Sequence, residues 1–109
     1  MNIESDIKNG YHVFRIKEDL DADADLSVLK EMIREKVDQN ASHIALVFTE
    51  GTYFYSATIS VLVQCLGIVK EQAGELAIVQ PNEGIQDTLR LTGLARLITI
   101  FSSENEIGN

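Results

Sequence analysis

The chain has 109 residues, 45% hydrophobic and 24% charged, a composition that suits one globular domain and excludes a disordered or collagen-like chain. Its formal net charge of −8 argues against nucleic-acid phosphates and anionic lipid as partners. A single cysteine, Cys65, excludes an internal disulfide, and no signal-peptide pattern opens the chain, so a cytoplasmic location is expected.

Asn9-Gly10 is a strong two-residue hairpin turn, and residues 11–16, YHVFRI, alternate in hydropathy before Lys17. Residues 3–8 and 11–16 are therefore expected to pair as antiparallel strands. An acidic stretch, KEDLDADADLS, follows. Leu26, Leu29, Met32, Ile33 and Val37 then recur at helical spacing, with Asp25 as the expected N-cap. Asp21, Asp23 and Asp25 alternate like the start of a calcium loop. Leu26 and Met32 stand where such a loop needs glycine and a bidentate glutamate, so no metal site is expected.

Residues 43–48, HIALVF, form a nearly continuous apolar run, as in a central strand covered on both faces. A helix is expected from about Ala57 to Gln72, with Ser56 as its N-cap and Gly74 as its C-terminal cap. Residues 76–79 read as a short strand, Asn82 as the cap of a helix running to Leu91, and residues 97–101 as a last strand. Only residues 102–109 remain, enough for a short helical segment. The order β-β-α-β-α-β-α-β implies an α/β fold, with a mixed, largely parallel sheet, an N-terminal hairpin and helices packed on it.

The central helix carries two apolar stripes. Ile59, Leu62, Val63, Leu66 and Val69 suffice to pack on a sheet. Val61, Cys65 and Ile68 form a second stripe, either covered by a neighbouring helix or exposed as a partner surface. The apolar run from Ile59 to Val69 is shorter than the roughly 20 residues that span a bilayer, so no membrane insertion is expected. His12 and His43 have no metal-ligand spacing around them, no phosphate-binding glycine loop is present, and Ser56 lacks a nucleophile elbow. Neither a cofactor nor an enzymatic activity is expected.

The run HIALVFTEGTYFYSATISVLV resembles the central strand, loop and helix start of STAS domains, the fold of bacterial anti-sigma factor antagonists. The stretch AGELAIVQPNEGIQDTLRLTGLARLITIF resembles their second half, with Leu91-Thr92-Gly93-Leu94 its most specific piece. The resemblance implies a single STAS-like domain over residues 1–109 with a shortened C-terminal helix region. It further implies a protein-binding function in which an anti-sigma factor, itself a serine kinase, is the partner and phosphorylates a hydroxyl residue. Ser56 occupies the phosphoacceptor place of the family's Asp-Ser-Ser/Thr-Gly motif, while Tyr55, Ala57 and Thr58 replace its other members. A further aspartate usual near the end of the central strand falls at about Val47. The expected partner-binding surface is Tyr55, Ser56, Thr58, Val61, Cys65 and Ile68. The alternative implied by the same resemblance is a constitutive adaptor, for example of a transporter complex, without phosphorylation.

Overall fold

The computed structural model describes residues 1–108. Strands β1 (Ile3–Lys8) and β2 (Tyr11–Ile16) are joined by Asn9 and Gly10, with φ of 50° and 86°. Two successive left-handed residues make the turn whose twist matches a hairpin, and Lys8 pairs with Tyr11 across it. Helix α1 (Ser27–Asp38), strand β3 (His43–Val47), helix α2 (Ser56–Lys70), strand β4 (Glu75–Val79), helix α3 (Glu83–Leu91) and strand β5 (Thr99–Phe101) follow. One 3₁₀ turn, Leu94–Arg96, precedes β5, and another, Glu104–Glu106, succeeds it.

The sheet runs in the order β1-β2-β3-β4-β5, with β1 antiparallel to β2 and every later pair parallel. Each crossover steps one strand in the same direction. Right-handed crossovers therefore place all three helices on one face of the sheet. That face holds the main core, in which Phe14, Ile44, Leu46, Leu76 and Ile78 of the strands meet Leu29 and Ile33 of α1, Leu62 and Val69 of α2, and Ile85 and Leu89 of α3.

The other face carries the alternate strand residues Tyr11, Val13, Ala45, Ala77 and Val79, and Phe101. The segment after β5 covers them. Ile107 is fully buried against this face, Asn9 Nδ2 donates to its carbonyl at 2.8 Å, and Glu104 meets Arg15 at 2.6 Å. The central strand is thus covered on both sides, as its continuous apolar run demands.

Boundaries differ from the sequence expectation at several points. α1 begins at Ser27 with Leu26 at the N-cap position; Asp25 lies one residue before the cap, and its Oδ1 accepts the N–H of Ser27, the first helical residue, at 2.9 Å in an Asx turn. The last strand begins at Thr99 because the 3₁₀ turn takes up residues 94–96. At the end of α2 the left-handed residue is Ala73, φ 52°, while Gly74 serves close approach. A Cβ on Gly74 would lie 1.9 Å from the Ser42 carbonyl oxygen.

Candidate functional site

The parallel strands β2, β3 and β4 all end on one side of the molecule, so residues 17–26, 48–55 and 80–82 gather there. In open α/β sheets this carboxyl end is where binding groups collect. The middle segment, between β3 and α2, stands at the centre because β3 is the central strand.

Polar contacts stitch this segment to both of its neighbours. Thr49 Oγ1 donates to Asp19 Oδ1 at 2.5 Å. The fully buried Thr52 places its Oγ1 2.7 Å from Thr49 Oγ1, and the Leu20 N–H donates to it at 3.2 Å. On the opposite side, Asn82 Nδ2 donates to the carbonyls of Glu50 at 2.9 Å and Thr52 at 2.7 Å. Gly51 faces the Asp19 carboxylate so closely that a Cβ there would lie 2.5 Å from Oδ2. Phe54 turns inward onto Phe48, ring centroids 4.9 Å apart, and its burial fixes the alternation of the segment. Tyr53 and Tyr55, on either side of Phe54, therefore point out, 62% and 41% exposed.

Ser56 follows as the first residue of α2 and is exposed. It is not the cap. Tyr55 occupies that position with an extended backbone, φ −92° and ψ 169°, and its side chain makes no capping bond. The Tyr55 carbonyl already accepts the Ile59 N–H at 3.0 Å. The first-turn N–H groups at 56–58 have no intrahelical acceptor by helix geometry, and no acidic side chain lies in that turn. The N-terminus of α3 is different: Asn82 Oδ1 accepts the Ile85 N–H at 2.8 Å, the cap that the sequence predicts.

The expected partner surface is only partly at the surface. Thr58, Cys65 and Ile68 are buried at 1%, 0% and 6% exposure, and Val61 is half-buried, so Tyr55 and Ser56 remain accessible from that set. The two stripes of α2 are one. At 100° per residue, the buried side chains from Ile68 through Thr58 to Leu66 span a continuous sector of roughly 160°. The sheet takes one part of that sector and α1 the other. Arg34 of α1 reaches Glu71 just past α2 at 2.8 Å along this contact. Val63, expected to face the sheet, falls outside the sector and is 49% exposed. With Ser56 and Ser60 it lies on the outward face of α2. Sequence reasoning overlooked Asp19, Thr49, Thr52 and Asn82 as parts of this site. Asn82 alone carried a signal, as a cap.

Burial pushes the Cys65 thiol up to about 11, so it carries little thiolate near neutrality. Among the described residues no group of three or more His, Cys, Asp or Glu side chains is placed to hold a metal ion, and no helix is long and apolar enough to cross a membrane. A depression of about 500 Å³ on the opposite face is lined by Tyr11, His43, Glu75 and Thr99. Its polar groups largely satisfy one another, since Glu75 accepts from both Tyr11 and Thr99.

Comparison with known proteins bears on the family and the fold. The STAS domain family model matches residues 2–107. A Thermotoga maritima protein described as a candidate anti-sigma factor antagonist is 29% identical over 77 residues, 71% of this chain and 68% of that one. The crystal structure of the T. maritima candidate antagonist TM1081 superposes with a TM-score of 0.83 at 21% identity, covering 96% of this chain and 90% of that one. The Bacillus cell fate determinant SpoIIAA in its phosphorylated form superposes with a TM-score of 0.68 at 15% identity, covering 97% and 96%.

Proposed function

Since the chain belongs to the STAS domain family, we propose that it works by binding a protein, an anti-sigma factor or related serine kinase, and that phosphorylation of Ser56 ends that binding. The observation that carries this reading is the placement of Ser56. An exposed hydroxyl begins an uncapped helix, beside two outward tyrosines on a segment held from both sides. The docking surface is Tyr53, Tyr55 and Ser56 with the outward face of α2 at Ser60 and Val63, and the edge of Val61.

A phosphate on Ser56 is accommodated without refolding. The free N–H groups of the first turn and the positive end of the helix dipole favour it, and no carboxylate in that turn opposes it. It adds about −1.5 to −2 charge beside the aromatic contacts. A partner seated on Tyr53 and Tyr55 must then desolvate that charge or leave. On this reading the protein is a binding switch.

The test is direct. Incubated with its cognate kinase and ATP, wild-type protein gains the mass of one phosphate and Ser56→Ala gains none. Equal gain by both, or no gain by wild type, defeats the switch. One observation favours the constitutive adaptor instead: Tyr55, in the place of the motif's aspartate, is exposed beside Ser56, so the surface at that point differs from the motif's. On that reading Ser56→Asp leaves partner affinity unchanged, whereas the switch predicts a loss of at least about tenfold.

A further inference from the structure

We propose that Asn82 is a positioning residue for the docking segment, making residues 49–55 and the N-terminus of α3 one preformed platform. The proposal takes its purpose from the docking reading above, but its physical basis is separate. A helix cap needs only the Oδ1 acceptor, which Asn82 supplies to the Ile85 N–H. Serine or aspartate would do this equally well. What asparagine adds is the amide donor, and here both of its hydrogens are used, on the carbonyls of Glu50 and Thr52. These bonds cross some thirty residues of sequence and join two loops that share no strand pairing.

The geometry gives them leverage. Thr52 is held at its carbonyl by Asn82 and at its hydroxyl by the Leu20 N–H and Thr49, so it is clamped between the segments before α3 and before α1. Tyr53 comes next, and its ring lies over the first turn of α3, where a Cβ on Gly84 would sit 3.4 Å from Cε1. Tyr55 and Ser56 follow within one further turn of chain. Fixing Thr52 therefore fixes the origin from which both tyrosines and the serine project. A segment ordered beforehand loses less conformational entropy when a partner seats on it.

Hydrogen exchange on the intact protein tests this without any partner. The reporters are the Thr52 amide, which bonds the Thr49 carbonyl, and the Leu20 amide, which bonds Thr52 Oγ1. In Asn82→Ser and Asn82→Asp the cap is kept and the two donors are lost; the aspartate also sets a carboxylate against two carbonyls. Both variants are expected to exchange at Thr52 and Leu20 at least about tenfold faster than wild type, the aspartate more so, while the amides of α3 keep their protection. Unchanged exchange at Thr52 and Leu20 in both variants overturns the proposal. So does acceleration spread equally over α3, which would make Asn82 a cap alone. Phosphate uptake at Ser56 does not enter this readout, so the positioning role and the switch fail separately.

Discussion

Ala73 and Gly74 divide two jobs that one glycine often does. Ala73 takes the left-handed backbone at the end of α2, and the Gly74 N–H returns to the Val69 carbonyl at 2.9 Å. A left-handed L-residue costs roughly 1–2 kcal/mol, and freeing the unfolded chain at a new glycine returns about half of that. Ala73→Gly is therefore expected to raise stability by about 0.5–1 kcal/mol. Gly74→Ala drives a methyl into the Ser42 carbonyl and should lose about 3 kcal/mol. Urea unfolding midpoints check both, and equal effects of the two would contradict the division. Cys65 gives a second prediction at this scale. Fully buried, with its thiol pushed up, it should resist a thiol reagent such as DTNB at pH 8 in the native protein and react once in guanidinium.

The helix starts carry the lesson at the scale of elements. Both α2 and α3 begin after an extended residue, but only Asn82 caps its helix with its side chain. Ser56→Ala should then change stability by no more than about 0.5 kcal/mol. Asn82→Ala removes a cap worth about 1 kcal/mol and two further bonds to backbone carbonyls, and should cost about 2–3 kcal/mol. If Ser56→Ala proves as costly as Asn82→Ala, Ser56 is a structural cap after all. The sequence reading placed the cap at Ser56 because serine favours that position. The helix instead starts one residue earlier, since burial of Phe54 on Phe48 sets which residues of 53–56 extend outward. The same helix shows how a local pattern is misread. Its two stripes are adjacent on the cylinder, and one broad sector can serve two neighbours at once.

Across the whole molecule, two carboxylates hold the back of the sheet together. Thr99 and Tyr11 donate to Glu75, joining β5 and β2 to β4, and Arg15 holds Glu104 of the covering segment. Both glutamates are held below the ordinary glutamate range, Glu75 by its two hydroxyl donors and Glu104 by the Arg15 guanidinium. Their folded pKa values lie below the unfolded ones. The stability they contribute is therefore complete above that range and is lost as pH falls through the depressed values. Urea midpoints of the wild type should fall steeply between about pH 5 and pH 3. Glu75→Gln and Glu104→Gln should start lower at pH 6 and fall less over the same range. Parallel titrations of wild type and variants would show that these bonds do not govern acid stability.

The sequence by itself determined the order of elements, the hairpin, the covered central strand and the family. These follow from signals within a few residues of one another: a two-residue turn, an apolar period, a Leu-Thr-Gly-Leu run. The face on which the helices lie follows from right-handed crossovers only once the strand order is known, and that order comes from the structure. Only the tertiary structure decided which side of α2 is exposed, which residue begins it, and that Asp19 and Asn82 hold residues 49–52 from opposite sides. The reason is physical. A hydrogen bond from residue 82 to residue 52, or an aspartate set against Gly51 from another loop, depends on where parallel strands end in space, and no local periodicity encodes that distance.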